Sequence, residues 1–182
     1  MAIFRKNSIA ILSMILMMSA GTLIGSHNSL VGLREKAAVV FTTGALGDGV
    51  GIQRDLRERE NSAYNMVVIA RKYMPEDNAL IQNAVGAREA LTNASSVKDK
   101  AAADRALETA VRDLFDVLNG MALSEQDARY PQRLYTEFRA RGDTISRDPY
   151  NQGAADFNRT LAGFPAGILG RLTGVRPLEL FQ

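Results

Sequence analysis

The most constraining feature of this sequence is a long apolar segment near its N-terminus. No formally charged residue occurs between Lys6 and Arg34, and an apolar run extends from Ile9 to Ile24. A helix needs roughly 20 residues to cross a hydrocarbon core of about 30 Å, so this segment is long enough to span a membrane. A buried core helix seldom begins directly behind a basic prefix at an N-terminus. The sequence therefore predicts an N-terminal membrane segment over residues 1–27.

This segment has two alternative fates. An uncleaved segment is a single-pass signal-anchor, whereas Ser19-Ala20-Gly21 supplies the small residues that a signal-peptide cleavage site requires. The apolar run continues beyond that site, which favours the anchor. In both cases Arg5 and Lys6 are expected to stay in the cytoplasm, because basic flanking residues are retained there. The short N-terminus is then cytoplasmic, and the rest of the chain lies outside the cytoplasm at the cell membrane.

The remainder of the sequence has the apolar periodicity of α-helices. Apolar residues recur at three- and four-residue steps, and strand-like alternation is absent. This pattern divides the chain into a juxtamembrane helix (28–43), a glycine-rich hinge (44–52), a helical bundle (53–165) and an apolar C-terminal tail (166–182). Inside the bundle, Ser124 begins a polar segment typical of a helix N-cap. The predicted fold class is all-α, an antiparallel bundle of long helices behind an N-terminal transmembrane helix.

Charged side chains on the predicted helices are expected to face water. Residues 54–60 (RDLRERE) mix basic and acidic side chains, and such pairs stabilise a solvated helix by only a few tenths of a kcal/mol each. The carboxylate pairs Asp104/Glu108 and Asp113/Asp116 share their helix turns with basic residues. We therefore interpret these two pairs as parts of solvated faces as well.

No catalytic, cofactor-binding or metal-binding residue is predicted, and we expect no enzyme activity. Cysteine is absent, which excludes disulfides, thiolate metal sites and a cysteine nucleophile. His27 is the only histidine, and it lacks nearby partners at the spacing of a zinc site. The glycines of residues 44–52 match no nucleotide-binding fingerprint. The 22 basic and 20 acidic residues are interleaved rather than clustered, so we expect no nucleic-acid partner.

Two aromatic–asparagine pairs occur near the C-terminus, Tyr150-Asn151 and Phe157-Asn158. Their spacing of seven residues places both on one face of a helix, where we expect the asparagines to hydrogen-bond a neighbouring helix or the returning tail. Pro165 disfavours helical geometry at Phe164, so the helix should end there. The apolar tail beyond it should pack across one end of the bundle or contact the membrane surface.

The sequence from Asp148 to Phe181 resembles the C-terminal signature of the LemA family. That signature has a repeated aromatic–asparagine pair, a Phe-Pro stop, a glycine and a terminal aromatic residue. The matching residues are Tyr150-Asn151, Phe157-Asn158, Phe164-Pro165, Gly174 and Phe181. Two upstream segments, 27–41 and 53–73, are also similar to the family. Phe41 stands where the family usually has tryptophan, and the glycine-rich insertion puts the continuity of the first long helix in question.

This resemblance implies a bacterial, membrane-anchored protein with a bundle of long helices, and the family has no generally established biochemical activity. We therefore expect a non-catalytic interaction or scaffold protein of the cell envelope, with a protein partner in the envelope and self-association left open. The alternative is a sensory or ligand-binding ectodomain. Such an ectodomain would work through a partner protein, because the few residues before the anchor are too short for an output module.

Overall fold

The computed structural model describes the backbone from Ala2 to Gln182 and the side chains from Ile9 onward. Arg5 and Lys6, which carry the expectation for orientation, lie outside the described side chains. Between Ala2 and Gln182 the secondary structure is helical and contains no strand, which confirms the predicted all-α class. The helices are α1 (Ala2–Thr43), α2 (Ile52–Ala70), α3 (Ala79–Asn93), α4 (Val97–Gly120), α5 (Tyr130–Ser146), α6 (Tyr150–Ala162) and α7 (Ala166–Thr173).

The chain divides into two compact units, each with its own buried core. The first, which we call the N-terminal unit, comprises Met1–Ala38 and Gln152–Leu178. The second, the bundle unit, comprises Val39–Asn151 and Glu179–Gln182. The C-terminal tail thus contributes residues to both units.

The bundle unit is built from α2, α3, α4 and α5, which pack against one another. Thr92, near the end of α3, donates a 2.8 Å hydrogen bond to Glu60 in the first half of α2. Arg141, late in α5, lies 3.3 Å from Asp55, early in α2. Both α3 and α5 therefore run antiparallel to α2, as an up-and-down bundle with short connections requires.

The core of the bundle unit consists mainly of aliphatic side chains. Burial of each large aliphatic side chain contributes about 1.5–3 kcal/mol before entropy is subtracted, so this core is the main stabilising element of the unit. On α4 the buried positions recur at steps of three and four, which is the helical period. The large apolar side chains buried most deeply in the bundle unit are Ile52, Leu56, Met66, Ile81, Leu107, Val111, Leu114, Leu118 and Phe138.

Side-chain caps define the starts of two bundle helices. The Asn78 side chain accepts a 2.9 Å hydrogen bond from the Leu80 N–H at the start of α3. Ser96 Oγ accepts a 3.0 Å hydrogen bond from the Asp99 N–H at the start of α4. Each cap satisfies one of the backbone donors that a helix N-terminus leaves without an intrahelical acceptor.

The helix start predicted at Ser124 is wrong, although the capping bond itself is present. Ser124 Oγ accepts a 3.2 Å hydrogen bond from the Asp127 N–H, but the chain makes only a turn there. Helix α5 begins at Tyr130, with Pro131 in its first turn. Proline is favoured in the first turn of a helix because its φ is already helical. The backbone N–H that it lacks would have no intrahelical acceptor there.

Residues 44–51 form a tight turn that separates α1 from α2. Gly44 has a φ of +73°, and a Cβ atom there would lie 2.6 Å from the carbonyl oxygen of Val50. A Cβ at Gly51 would lie equally close, 2.6 Å, to the carbonyl oxygen of Phe41. Only glycine fits these two positions, so the insertion ends α1 at Thr43 instead of extending it into α2.

The N-terminal unit contains most of α1, most of α6, and α7. Leu30 of α1, Phe157 of α6 and Leu178 of the tail form its small apolar core, and each is less than 9% exposed. Helix α6 ends at Ala162, two residues before the predicted stop at Phe164. The turn that follows leads into α7, which ends at a left-handed glycine cap.

Candidate functional site

A buried arginine is the most unusual polar group in the bundle unit. Arg59 is 1% exposed, and its Nε lies 2.7 Å from Oδ1 of Asp104. Its Nη2 lies 3.3 Å from Oε2 of Glu108, and its Nη1 donates to the carbonyl oxygen of Phe138 at 3.4 Å. The guanidinium carbon also lies 3.9 Å from the centre of the Phe138 ring, in cation–π contact. One side chain therefore connects α2 with both α4 and α5.

Space for this guanidinium is provided by a glycine on α5. A Cβ atom at Gly142 would clash with Nη1 of Arg59, whereas the backbone alone leaves room for it. Close helix packing around a long buried side chain requires such a gap, because protein interiors are packed without spare volume. Gly142 is therefore part of the arginine site, although it contributes no polar atom.

A second buried charge lies on the same helix. Asp55 is 1% exposed, and one of its oxygens accepts a 3.3 Å hydrogen bond from Nη1 of Arg141. Burial raises the pKa of nearby Asp148, the N–H of Tyr150 lowers it, and the negative charge of Asp55 raises it further. The prediction that residues 54–60 form a solvated face is therefore wrong at Asp55 and Arg59, because both side chains point into the bundle.

The prediction for the Asp104/Glu108 pair is also wrong at one of its members. Asp104 is 7% exposed, whereas the side chain of Glu108 is 56% exposed. Burial raises the pKa of Asp104, and the positive charge of Arg59 opposes this effect. A buried carboxylate is tolerated in a helical core when a counter-charge is in contact with it, which is the role of Arg59 here. The other pair, Asp113/Asp116, lies at the surface.

A pattern in the sequence could have revealed these buried charges. On α2, the buried residues Leu56, Ala63 and Ala70 recur at seven-residue steps, and Arg59 lies midway between Leu56 and Ala63 on the same stripe. Asp104 likewise falls between Ala101 and Leu107 on the buried stripe of α4. A charged residue at an apolar stripe position predicts a buried ion pair more strongly than a solvated face.

A polar cluster ties the end of α2 to the connection between α4 and α5. Lys72 Nζ lies 2.9 Å from Oδ1 of Asp127, and the Tyr73 hydroxyl donates to Oδ2 of Asp127 at 2.8 Å. The Ser124 N–H donates to the Tyr73 hydroxyl oxygen at 3.1 Å. Hydrogen bonds from Lys72 and Tyr73 lower the pKa of Asp127, and Asp127 in turn raises the pKa of Lys72.

The returning tail of the bundle unit is fastened by an asparagine. The Asn151 side-chain amide donates to the carbonyl oxygen of Phe181 at 2.8 Å and accepts from the Phe181 N–H at 2.7 Å. The Tyr150 hydroxyl donates to the carbonyl oxygen of Glu179 at 2.7 Å. The rings of Phe41 and Tyr150 meet edge to face, with centroids 5.2 Å apart. An amide side chain can pair with a backbone in this two-bond fashion because it carries both donor and acceptor.

The N-terminal unit contains the same arrangement. The Asn158 amide donates to the carbonyl oxygen of Leu178 at 2.9 Å and accepts from the Leu178 N–H at 2.7 Å. The expectation that these two asparagines hydrogen-bond the returning tail is therefore confirmed. The sequence pattern did not identify Leu178 and Phe181 as the residues they hold.

The bundle unit has a polar cavity of about 260 Å³ between α2, α3 and α4. Several polar groups in its wall are already paired. Thr92 donates to Glu60 at 2.8 Å, and the ammonium group of Lys100 contacts the Gln53 side-chain oxygen. The cavity is slightly smaller than the roughly 300–1,000 Å³ typical of small-molecule sites.

His27 lies in the N-terminal unit, beside a cavity that Arg34 and Arg176 also line. The Arg34 side chain donates to the carbonyl oxygen of Arg176 at 3.1 Å, which joins α1 to the tail. Among the residues that the structure describes, no group of three or more histidine, cysteine, aspartate or glutamate side chains is arranged to hold a metal ion.

Comparison with known proteins identifies one family. The model of the LemA family matches residues 50–182, which include α2 to α7 and the whole C-terminal tail. This matched range contains the buried arginine, both tail-holding asparagines and the Lys72–Asp127 cluster. No curated protein matches the chain.

Proposed function

The chain belongs to the LemA family, and we propose that it is a membrane-anchored, non-catalytic protein of the bacterial envelope. In this proposal the bundle unit presents an interaction surface to a protein partner. Residues 1–27 remain attached as a single-pass anchor, with the short N-terminus in the cytoplasm and the bundle unit on the opposite side.

The exposed apolar face of α1 carries the anchoring part of the proposal. Each of eight large apolar side chains in the first half of α1 is more than 50% exposed, and the helix is long and apolar enough to cross a membrane. A soluble protein rarely leaves so continuous an apolar surface in water. Its members are Ile9, Ile11, Leu12, Met14, Ile15, Leu16, Met17 and Met18.

The buried charges support a structural role for the polar core. Arg59 and Asp104 compensate one another, and Asp55 is paired with Arg141. These ion pairs join α2 to α4 and α2 to α5, so the charged groups serve to hold the three helices in register. We therefore assign them to the scaffold of the bundle and not to a reaction.

The interaction surface that we propose lies on α2 and α3. Tyr64 is 48% exposed, and Val68, one turn further along α2, is 39% exposed. The guanidinium of Arg88 on α3 lies 5.1 Å from the centre of the Tyr64 ring. Tyrosine and arginine are enriched at the energetic centres of protein interfaces, and Tyr64 is already held in place by Arg88. We call Tyr64, Val68 and Arg88 the α2–α3 patch.

Site-specific photo-crosslinking in cells tests this assignment. A photoreactive amino acid is placed at Val68 or, as a matched control, at Val117 on α4, which is 40% exposed compared with 39% for Val68. The proposal predicts one dominant envelope protein captured from Val68 and not from Val117. Equal capture from both positions, or none from Val68, would reject the α2–α3 patch. A crosslinked product of twice the chain mass would identify the partner as a second copy of this chain.

The alternative function, a ligand-binding ectodomain, is favoured by the polar cavity beside Gln53 and Lys100. Native mass spectrometry of the full chain extracted from membranes tests it. The alternative predicts a small molecule that copurifies with the protein and is lost in a Thr92→Trp variant, whose larger side chain fills the cavity. A spectrum showing only the protein mass would reject it.

A further inference from the structure

Helix α7 and the turn that precedes it expose a row of large apolar side chains. Phe164 is 89% exposed, Leu172 is 69% exposed and Ile168 is 56% exposed. They occur at steps of four, so Ile168 and Leu172 lie on one face of α7. Arg171, next to this row, is exposed as well. The row is a set of adjacent large side chains and not an isolated exposed residue, which marks it as a surface that something covers.

The opposite side of α7 is fixed within the N-terminal unit. Ala166 and Leu169 line one cavity together with Ser29 and Leu30 of α1. Gly170 is buried, and a Cβ atom there would lie 2.5 Å from Cδ1 of Leu161. Helix α7 cannot turn its apolar row inward without losing these contacts. The row therefore belongs to the outer surface of the N-terminal unit.

The position of α7 along α1 gives its depth relative to a membrane. Roughly 20 helical residues at about 1.5 Å each cross a hydrocarbon core of about 30 Å, so a span that starts at Ile9 ends near Asn28. The α1 residues beside α7 are Gly25, Ser26, Ser29 and Leu30. With the span placed in this way, these residues lie at its end, where the acyl chains give way to the headgroups.

From this placement we propose that Phe164, Ile168 and Leu172 insert into the lipid interface around the end of the α1 span. This inference depends on the proposed anchor and adds to it a second membrane contact, made by the C-terminal part of the chain. A short helix that exposes large apolar side chains with an arginine beside them suits this zone. The apolar side chains enter the acyl region, and Arg171 reaches the phosphate groups. Lipid is the occupant of this surface because α7 lies at the depth of the interface.

The absence of cysteine from the sequence allows a direct test. Single cysteines are introduced into the full chain at Ile168 or Leu172, labelled with an environment-sensitive fluorophore, and reconstituted into vesicles of phosphatidylcholine and phosphatidylglycerol. A label at Met17 reports on the α1 span. A label at Gln152, an exposed polar position ten residues before the end of α6, is the control within the same unit. Quenchers are lipids with nitroxides near the headgroup or deep in the acyl chain, and aqueous iodide.

The proposal predicts that labels at Ile168 and Leu172 are quenched most by the shallow nitroxide, and that the label at Met17 is quenched most by the deep one. The label at Gln152 should be quenched by iodide. Iodide quenching at Ile168 and Leu172 with lipid quenching at Met17 would overturn the inference while leaving the anchor intact. Protection of both α7 positions from every quencher would also overturn it, in favour of a protein cover. Iodide quenching at Met17 would reject the anchor and the inference together.

Discussion

Arg59 and Asp104 form an ion pair of 2.7 Å inside a mainly apolar core. Each residue occupies an apolar stripe position of its helix, α2 or α4. A buried pair of this kind adds little stability compared with two well-packed apolar side chains, but loss of one partner leaves an uncompensated charge. We infer that the pair defines which faces of α2 and α4 meet.

Replacement of Arg59 alone should strongly destabilise the bundle unit. In Arg59→Met the carboxylate of Asp104 stays buried without its counter-charge, so we expect a loss of about 3–5 kcal/mol in the free energy of unfolding. The double variant Arg59→Met/Asp104→Leu should lose clearly less than Arg59→Met, because no buried charge remains. Urea denaturation of the full chain in detergent, followed by circular dichroism, measures both.

A matched control for that experiment is Arg133→Met. The side chains of Arg133 and its partner Glu137 are 67% and 52% exposed, so loss of this surface pair should cost about 0–1 kcal/mol. An Arg59→Met variant as stable as Arg133→Met would contradict the importance of the buried pair.

Gly142→Ala should destabilise the protein through the same site. The added methyl group clashes with Nη1 of Arg59, and displacement of the guanidinium should cost about 1–3 kcal/mol. Gly86→Ala, in the interior of α3, is the control, because nothing lies within 4 Å of its new Cβ. There alanine should stabilise the helix by up to about 1 kcal/mol. Thermal unfolding of both variants measures the difference, and equal shifts would refute the requirement for glycine at 142.

Asn151→Ala should loosen the end of the tail in the bundle unit. The variant loses both hydrogen bonds to Phe181, so we expect the Phe181 amide proton to exchange about tenfold faster or more, since about 1–3 kcal/mol of local stability is lost. Amide hydrogen exchange resolved at single residues measures this. Asn83→Ala, at an exposed position on α3, should leave that rate unchanged. An unchanged Phe181 rate in Asn151→Ala would mean that the asparagine does not hold the tail.

The Lys72–Asp127 cluster should stabilise the bundle unit in a pH-dependent manner. The pKa of Asp127 is lowered from 3.8 in the folded state, so its contribution is present above about pH 4. That contribution is lost as the pH falls through and below this value. The pKa of Lys72 is raised from 10.5, so its contribution is lost only as the pH rises above that value. The stability difference between the wild type and Asp127→Asn should therefore be largest near neutral pH.

Denaturation curves at pH 7 and pH 3 measure this difference. The wild type should be clearly more stable than Asp127→Asn at pH 7, and this difference in the free energy of unfolding should be smaller at pH 3. A gap of equal size at both values would show that the carboxylate charge of Asp127 is not what stabilises the cluster.

The helical architecture could be predicted from the sequence because apolar periodicity reflects which side chains are buried. The tail contacts could be predicted in part, since two asparagines seven residues apart on one helix face need partners. The buried charges were missed because residues 54–60 were interpreted by their composition, although the positions of Arg59 and Asp104 on the apolar stripes of α2 and α4 indicate burial. The cavity beside Gln53 is lined by three successive helices, and its shape depends on how those helices pack, which no local pattern specifies.

In the proposed function, the chain remains anchored in the membrane with its bundle unit outside the cytoplasm. This arrangement is tested by introducing one cysteine at Arg112, an exposed site on α4, and labelling intact cells with a maleimide that cannot cross the cytoplasmic membrane. We predict labelling of a full-length chain that stays in the membrane pellet after alkaline washing. A labelled chain that is soluble and shorter by its N-terminal segment would contradict the anchor. Labelling only after the cytoplasmic membrane is permeabilised would contradict the orientation.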